Sequence, residues 1–382
     1  MEIILIGNYP PDKQESMQRF ALMLQSGFVK EGYPTTIWKP TVIFGSIFQS
    51  TQSGIGKWIG YLDKWFIFQL VLISRLLLKK IRNEEALFHI CDHSNAPYLR
   101  FLPMEKTSIT CHDVLAIRGS MGHADAYCTA TPTGKLYQKW ILSHLVQVRK
   151  LAAVSRFTLN QLIDLQKNTD LNKGNKHYQV IHNAFNGDFK PMTVKQAFPL
   201  IQNLGIATPY LYMLHVGSNH RRKNRKLILD VANELGTEWN GQICFAGEAP
   251  DSDLLEYAVS LGLMDRLVIV SNPDHMTLRA LYSLCEAFIF PSFSEGFGWP
   301  LIEAQACGAP VIASSIQPMP EISEGSALHA DPSHPKDFAN AFRMLQKQNL
   351  KLEMCKKGMM NIKRFSNKKM TQKYLSLFGL TK

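Results

Sequence analysis

Two glutamates near residue 300 stand on either side of a loop that contains two glycines. The segment 290–314 reads FPSFSEGFGWPLIEAQACGAPVIAS, and seven residues separate Glu295 from Glu303. Gly296 and Gly298 permit unusual backbone angles, and Pro300 suits the first turn of a helix that would also hold Glu303. A helix start presents unpaired N–H groups to anions or sugar oxygens, and carboxylates accept hydrogen bonds from hydroxyls. The helix dipole alone would explain one acid here, but the whole pattern predicts a site for a ligand with hydroxyls and an anionic group.

Basic residues follow a predicted strand that ends at Gly217. The segment 210–224 reads YLYMLHVGSNHRRKN, with Arg222 and Lys223 at the start of a predicted helix. Such cations neutralise a diphosphate and stabilise it as a leaving group when its bond to a sugar breaks. A solvated basic turn is the alternative interpretation of this segment.

Thiol, imidazole and carboxylate side chains follow two predicted strands in the first half of the chain. Residues 89–93 read HICDH, and residues 111–113 read CHD. These groups suggest zinc, but His89 and His93 would face one metal only on a helix, whereas this segment predicts a strand. We therefore expect no metal here, and a structural role for some of these residues remains open.

The segment 290–314 resembles the donor-site signature of glycosyltransferase family 4, whose members are retaining enzymes with the GT-B fold. The family pattern EGFG-x-P-x-x-E-A-x-x-x-G-x-P-V is present here from Glu295 to Val311. The resemblance implies that Glu303 binds the ribose of a nucleotide-diphosphate sugar and that Glu295 binds hydroxyls of the transferred sugar. It also implies that the backbone amides of Phe297, Gly298 and Trp299 contact the sugar and the diphosphate, and that Gly296 belongs to the donor site.

The other clusters resemble the same family more loosely. Arg222, Lys223 and Asn224 match its Arg-Lys-Asn form after Gly217, although Ser218 stands where many members have arginine. The resemblance places His112 near the donor sugar as a hydrogen-bonding group. Further candidates are Asp113 and Ser16 on the acceptor side, and the backbone around Val270 for the base.

The resemblance also implies how the reaction proceeds. The leaving phosphate would help to deprotonate the acceptor on the front face of the sugar. No DxD pair stands at a strand end, and Asp251-Ser-Asp253 lies where N-capping of a helix explains it. We therefore expect no metal and no cofactor besides the donor substrate, with Arg222, Lys223 and the helix dipole in place of a cation.

The elements that position these residues alternate between strands and helices, which is typical of an α/β protein with parallel sheets. Ten apolar runs predict strands, and the resemblance implies two Rossmann-like domains that face a central cleft. We place an acceptor-binding domain at 1–190 and a nucleotide-sugar-binding domain at 191–360. Residues 361–382 would form a C-terminal helix that packs back on the first domain.

Charge is distributed unevenly along the 382 residues, whose net charge is +11. Residues 1–190 hold 22 basic and 14 acidic residues, so +8 of the excess lies there. The segment from Trp58 to Ile81 is apolar, but Asp63, Lys64 and Arg75 interrupt it, and its charge-free run is too short to span a membrane. These features predict an anionic membrane surface as a partner and a glycan or lipid-linked acceptor, unless the helix simply packs in the core.

Other partners and compartments are not predicted. Neither Gly56-Lys57 nor Gly134-Lys135 is followed by the Ser or Thr of a P-loop, and no GxGxxG follows the first strand. Basic residues do not alternate with aromatic ones as in an RNA-binding sheet, so we expect no nucleic acid. The seven cysteines include no CxxC pair and the N-terminus predicts a strand, which indicates reduced thiols in a cytoplasmic protein.

Two other functions remain open at this level. One is a sugar-nucleotide epimerase or phosphorylase on the same fold, although no pyridoxal lysine signature for a phosphorylase is recognisable. The other is a non-catalytic nucleotide-sugar-binding protein, against which the intact glutamate pair argues.

Overall fold

The computed structural model describes residues 1–47, 51, 54–167, 176–185 and 187–380. The chain divides into two compact units, here called unit 1 and unit 2. Unit 1 comprises residues 1–121, 130–186 and 367–382, and unit 2 comprises 122–129 and 187–366. The short segment 122–129 therefore clusters with unit 2, although the sequence assigned it to the first domain. The last two residues of the predicted C-terminal helix, 381–382, lie outside the described residues.

Unit 1 is built on a sheet of six parallel strands in the order β2-β1-β3-β4-β5-β6. Its strands are β1 Glu2–Ile6, β2 Thr35–Trp38, β3 Ala86–Ile90, β4 Thr107–Cys111, β5 Lys150–Ala153 and β6 His177–Val180. The helices between them are α1 Glu15–Lys30, α2 Gly54–Leu62, α3 Phe68–Ile81, α4 Leu115–Ser120, α5 Pro132–Leu145 and α6 Arg156–Lys167. The strands β3 and β4 are buried along their whole length, as continuous apolar strands of a covered sheet should be.

Unit 2 repeats this architecture with a second sheet of six parallel strands, in the order β12-β11-β10-β7-β8-β9. Its strands are β7 Tyr212–Gly217, β8 Gln242–Gly247, β9 Leu267–Ser271, β10 Ala287–Phe290, β11 Val311–Ser314 and β12 Leu328–Ala330. Its helices are α7 Val194–Ile201, α8 Lys226–Leu235, α9 Ser252–Ser260, α10 His275–Leu284, α11 Trp299–Ala306, α12 Met319–Ser323, α13 Pro335–Leu345 and α14 Gln348–Asn361. The core on one face of the sheet is formed largely by α8 and α13.

Ten of these twelve strands lie where the apolar runs predict them, which confirms the α/β class. The strands β2 and β12 were missed because neither is a run of apolar residues, since β2 reads TTIW and β12 reads LHA. Pro34 and Pro40 bound β2 closely, so the sequence shows too short a run to stand out.

The last helix, α15 Asn367–Phe378, belongs to unit 1. It packs closely on α1, where a Cβ on Gly27 would lie 2.1 Å from Oγ1 of Thr371. The hydroxyl of Tyr374 reaches the sheet and lies 2.8 Å from Oγ1 of Thr110. The packing of this helix therefore depends on a glycine in α1 and on a polar pair inside the core.

The predicted helix from Trp58 to Ile81 is present as α2, a π-helical turn at Asp63–Ile67, and α3. The carboxylate of Asp63 is buried in that turn and accepts a hydrogen bond from the Tyr9 hydroxyl at 2.6 Å. It also accepts the backbone N–H groups of Ile43, Phe44 and Gly45, at 2.9–3.1 Å. Although burial raises the pKa of Asp63, these hydrogen bonds lower it overall. This one carboxylate joins the loop 43–45 to the helix.

A buried histidine should make unit 1 sensitive to acid. The ring of His89 contacts Oγ of Ser108 at 2.7 Å and Oγ1 of Thr110 at 2.9 Å, and burial lowers its pKa from 6.5 to about 3. The unfolded chain binds a proton at pH values where the folded chain does not, so stability falls as the pH drops from 6.5 towards 3. From pH 7 to pH 5 this residue should cost about 2 kcal/mol of unfolding free energy.

Urea unfolding followed by circular dichroism at the two pH values tests this. His89→Gln should remove that part of the pH dependence, whereas His123→Gln, at an exposed position, should not. An unchanged pH dependence in His89→Gln would contradict the expectation.

Candidate active site

The carboxyl ends of β7 and β8 approach each other closely in unit 2. A Cβ on Gly247 would lie 2.6 Å from the carbonyl oxygen of Gly217, and the N–H of Glu248 donates to that oxygen at 3.1 Å. Gly247 has a φ of 111°, which glycine tolerates and other residues do not. Open α/β sheets bind ligands at this end of their strands, and residues 218–224 leave the sheet here.

Arg222, Lys223 and Glu295 form one cluster of charges beside this edge, here called the Glu295 cluster. Nζ of Lys223 lies 2.6 Å from Oε1 of Glu295, and Nη1 of Arg222 lies 2.7 Å from Oε2. The backbones are joined as well, since the N–H of Phe293 donates to the carbonyl of Arg222 at 2.8 Å. The structure thus brings Glu295 together with Arg222 and Lys223, two predicted site residues that lie far from it in the sequence.

Electrostatics keep the Glu295 cluster ionised. Burial raises the pKa of the Glu295 carboxyl, but the charges of Lys223 and Arg222 outweigh burial and bring the pKa to about 2. Burial lowers the pKa of the Lys223 ammonium, and Glu295 opposes that effect. The cluster itself holds two cations and one carboxylate, which suits the binding of an anion, although the charge of the nearby Glu303 also acts on Lys223.

Helix α11 begins next to this cluster. Gly298 precedes it with a φ of 99°, in the left-handed region, and Pro300 lies in its first turn. Glu303 lies one turn further than predicted because the helix begins at Trp299 and its first turn holds no acid. The dipole therefore explains Glu303 less well than the sequence suggested. Its carboxylate is buried and accepts a hydrogen bond from the hydroxyl of Tyr282 at 3.2 Å.

The remaining predicted donor residues have varied surroundings. Nδ2 of Asn224 donates to the carbonyls of Pro291 at 3.3 Å and Pro332 at 2.8 Å, so this side chain braces two loops. Val270 is buried in β9, where it lies opposite Ala246 of β8. Phe297 is buried against Phe365, with ring centroids 5.7 Å apart, and this contact anchors the loop before α11.

Unit 1 contains a separate cavity of about 530 Å³ at the carboxyl ends of β1, β3 and β4. The predicted residues His112 and Asp113 line it, whereas Ser16 does not, since Gln14 and Met17 face the cavity from the start of α1. Its polar floor contains Asn8, Asp12, Asp92, His93, Ser94 and Asn95. The size is that of a site for a small molecule or a sugar unit.

His112 is held in a defined orientation at this floor. Its Nε2 lies 2.9 Å from the carbonyl oxygen of Cys91, and its ring packs edge-on against Phe20 at 4.6 Å. Because a carbonyl only accepts, Nε2 carries the proton and Nδ1 of the neutral ring is an acceptor. Burial lowers the pKa of His112, and the nearby Asp92 opposes this effect.

Asp92 and His93 form the other polar group of the cavity. Oδ1 of Asp92 lies 3.2 Å from Nδ1 of His93, and Oδ2 accepts from Nδ2 of Asn8 at 2.6 Å. Burial raises the pKa of Asp92, but these partners hold it below its ordinary value, so the carboxylate is ionised. The pair belongs to the segment 89–93, where the sequence suggested zinc-binding groups but no metal was expected. Among the residues described, no group of three His, Cys, Asp or Glu side chains is placed to hold a metal ion.

One wall of the cavity is aromatic. The rings of Tyr61 and Tyr137 stack with centroids 5.3 Å apart, and Trp65 lies edge-on to Tyr137 at 6.2 Å. Nζ of Lys64 lies 2.8 Å from Oδ2 of Asp12 and 4.8 Å from the centre of the Tyr61 ring. Sequence reasoning missed these residues, because their aromatic and basic side chains look like an ordinary amphipathic helix.

The remaining expectation concerns Asp251. Its carboxylate caps α9 by accepting the N–H of Leu254 at 3.0 Å, as predicted.

The sequence did not point to Tyr282, the residue whose hydroxyl donates to Glu303. Tyr282 lies within α10, and no local motif distinguishes it.

Gly298 should be hard to replace. A Cβ there would meet Cε of Met319 at 3.1 Å and Cε1 of Phe290 at 3.3 Å, in addition to the left-handed backbone. Gly262 has a φ of 65° but nothing within 4 Å, so it reports the backbone cost alone. We expect Gly262→Ala to lower the unfolding free energy by about 1–2 kcal/mol and Gly298→Ala by about 2–4 kcal/mol. Denaturant unfolding measures both, and equal losses would show that the space around Gly298 is not tight.

Known proteins resemble this chain in sequence. Residues 198–361 match the family model of glycosyl transferases group 1. The O-antigen chain mannosyltransferase RfbU of Salmonella typhimurium is 26% identical over 284 residues, which cover 74% of this chain and 70% of that protein. The O-antigen chain mannosyltransferase B of Escherichia coli is 28% identical over 205 residues, 52% of this chain and 53% of that protein. The matched part of this chain thus spans about half the length of mannosyltransferase B and 70% of the length of RfbU.

Solved structures share the fold over the full chain. HepE of Anabaena, in complex with UDP and glucose, has a TM-score of 0.68 at 16% identity and covers 100% of both chains. A glycosyltransferase of Rickettsia africae has a TM-score of 0.69 at 14% identity, covering 99% of this chain and 97% of that one. The predicted GT-B fold is confirmed, whereas the narrower assignment to family 4 stays a prediction. Residues 198–361 of this chain are therefore similar to the glycosyl transferases group 1 family.

Proposed function

We propose that this protein transfers a hexose from a nucleotide-diphosphate sugar to an acceptor hydroxyl in glycan biosynthesis, with retention of configuration and without a metal. The observation that carries the proposal is the Glu295 cluster within the family-matched segment. It places two cations and a carboxylate beside a helix start. That combination suits a ligand in which a sugar is joined to a diphosphate.

Each residue has a distinct role in the proposed donor complex. Arg222 and Lys223 stabilise the diphosphate as negative charge develops on it, which replaces a metal ion. Glu295 accepts hydrogen bonds from hydroxyls of the hexose, and Glu303 accepts them from the ribose. The backbone amides from Gly296 to Trp299 contact the sugar and the diphosphate. Gly217, Asn224 and the backbone of Val270 complete the donor side.

The proposed reaction exchanges one bond at the anomeric carbon for another. The acceptor oxygen bonds to this carbon on the face from which the phosphate oxygen departs. The acceptor proton passes to the leaving phosphate, so no separate base is required. His112 would serve as a hydrogen-bonding group rather than as a base. The excess positive charge of the Glu295 cluster favours the separated diphosphate.

The named relatives support the choice of sugar. Two of them are mannosyltransferases of O-antigen chains, so mannose is the first hexose to test. Solved neighbours contain UDP, so the donors to be tested include uracil as well as guanine nucleotides. A panel of GDP-mannose, UDP-glucose and UDP-galactose covers these combinations.

The acceptor side of the proposal uses the cavity of unit 1. Its aromatic wall offers faces on which a pyranose ring stacks, and its floor offers carboxylates and amides for hydroxyls. Asp113 lines that cavity, whereas Ser16 stays a prediction. We propose a glycan or lipid-linked acceptor at the cytoplasmic face of a membrane, where the protein would be peripheral.

The donor site is tested by replacing its charges. Arg222→Ala and Glu295→Gln should each lower kcat about 100-fold or more, because each removes an interaction with the transferring group. The assay uses the donor of the panel that raises the melting temperature of the wild-type protein. It measures transfer of its radiolabelled sugar to a membrane-glycan extract. Donor-induced thermal stabilisation is recorded in parallel, because Glu295→Gln also leaves Lys223 buried without its partner.

The controls use a second Arg–Glu pair of unit 2. Arg343 and Glu238 are 2.8 Å apart at the surface, so Arg343→Ala and Glu238→Gln should retain full activity. Full transfer by both donor-site variants would refute the site assignment. Donor stabilisation without turnover by the wild-type protein, with the acceptor present, would favour the non-catalytic binding protein. Isomerisation of the donor sugar would favour the epimerase.

The acceptor side has its own test. Tyr137→Ala removes a stacked ring of the cavity wall and should raise KM for the acceptor about 10-fold, while hydrolysis of the donor by water stays unchanged. Tyr210→Ala, at an exposed tyrosine of unit 2, serves as the control. An unchanged KM in Tyr137→Ala would argue against the cavity as the acceptor site.

A further inference from the structure

The helical segment 54–81 presents an unusual outer face to solvent. Apolar side chains recur there every three or four residues, and each is more than one-third exposed, from 37% at Ile73 to 80% at Ile81. They are Ile55, Trp58, Leu62, Phe66, Leu70, Ile73, Leu77, Leu78 and Ile81, here called the apolar stripe. A surface helix of a globular domain ordinarily has polar residues on its outer face. The alternative of a helix packed in the core therefore does not account for this face.

The opposite face of the same segment is occupied. Phe68 and Leu72 are fully buried in the core of unit 1. Tyr61, Lys64 and Trp65 line the cavity of unit 1. The inner face of the segment therefore packs on the core and the cavity. The outer face, which carries the apolar stripe, is not covered by the described part of unit 1.

A loop adds further apolar surface next to the segment. Val42, Ile43 and Phe44 are each exposed by more than one-third of their surface. The buried carboxylate of Asp63 holds the backbone of Ile43 and Phe44 to the helix, through the hydrogen bonds described above. An exposed apolar loop that is fixed by a buried carboxylate is costly unless something covers it.

Charge indicates what covers this surface. Residues 54–82 contain six basic residues and one acidic residue, Asp63, which is buried. Of the basic residues, Lys64 is buried in an ion pair with Asp12, and Lys79 pairs with Glu2 and Glu84. Lys80 is exposed near one end of the apolar stripe, and Lys57, near the other end, is exposed at the mouth of the cavity that it lines. Protein–protein interfaces are depleted of lysine at their core, whereas interfacial membrane helices combine aliphatic and aromatic residues with flanking lysine and arginine.

The dimensions also suit a bilayer surface rather than a span. The stripe runs along about 27 residues, roughly 40 Å at the rise of an α-helix. No helix within the described ranges is long and apolar enough to cross a membrane. A long, narrow apolar stripe with basic ends is the form taken by a helix that lies in the plane of the interface.

We propose that the apolar stripe and the loop 42–44 dock on an anionic phospholipid bilayer, with the stripe at the depth of the headgroups. The cavity-lining residues Tyr61, Lys64 and Trp65 would then lie on a helix held at the membrane surface. This deepens the proposed function, since it names the surface at which a lipid-linked acceptor is met, but vesicle binding needs no transfer reaction.

Flotation of the full chain with phospholipid vesicles tests the proposal. The protein should float with phosphatidylcholine vesicles that contain phosphatidylglycerol, and less so without it or at high salt. The triple variant Phe66→Gln, Leu70→Gln, Leu77→Gln should bind on the order of 100-fold more weakly, because three apolar side chains no longer enter the bilayer. Lys80→Gln should weaken binding to the anionic vesicles roughly 5-fold.

The control triple variant is Val259→Gln, Met276→Gln, Met360→Gln, which removes equally exposed apolar side chains from unit 2. It should float like the wild-type protein, and circular dichroism should show that both triple variants are folded. Donor-induced thermal stabilisation should be unchanged in the stripe variant, which separates this proposal from that of the donor site.

Three outcomes would overturn the proposal. The first is that wild-type protein does not bind anionic vesicles. The second is that the triple variant of the apolar stripe floats like the wild-type protein. A dimer in sedimentation equilibrium that the stripe variant abolishes would assign the stripe to a second copy of the chain instead of to lipid.

Discussion

A buried carboxylate between two cations is the interaction on which the organisation of unit 2 depends. Moving a single ion out of water costs several kcal/mol, so neither Glu295 nor Lys223 tolerates burial without the other. Their contact therefore joins the turn after β7 to the loop after β10, two segments that leave the same sheet edge. The same pairing leaves an excess cation beside the start of α11. The contact that holds these two segments together is therefore also the one on which the proposed donor site rests.

Buried carboxylates organise unit 1 in a similar way. Asp92 holds Asn8, Ser94 and His93 around the floor of the cavity, and Asp63 holds the loop 43–45 to the helix above. Each carboxylate is stabilised by several hydrogen bonds, which explains why burial does not raise its pKa overall. Polar side chains at strand ends thus shape a cavity, while the apolar strands beneath them supply the core.

The helical segment 54–81 illustrates how one element serves two surfaces. Its inner face supplies aromatic rings to the cavity and apolar side chains to the core. Its outer face carries the apolar stripe and the basic residues that flank it. The basic excess in residues 1–190 is thereby connected to a specific place in the fold. If the stripe lies on lipid, the membrane and the cavity contact opposite sides of one helix.

The sequence by itself determined the class of fold and the residues of the donor motif. Apolar runs locate ten of the twelve strands, and the pattern from Glu295 to Val311 is contiguous, so that both can be read from local spacing. It could not show that Lys223 pairs with Glu295, or that Tyr282 contacts Glu303, because these partners are distant along the chain. Nor could it decide which face of the segment 54–81 is covered. Helical periodicity tells which residues share a face, whereas only the packing of remote segments decides whether that face meets protein or solvent.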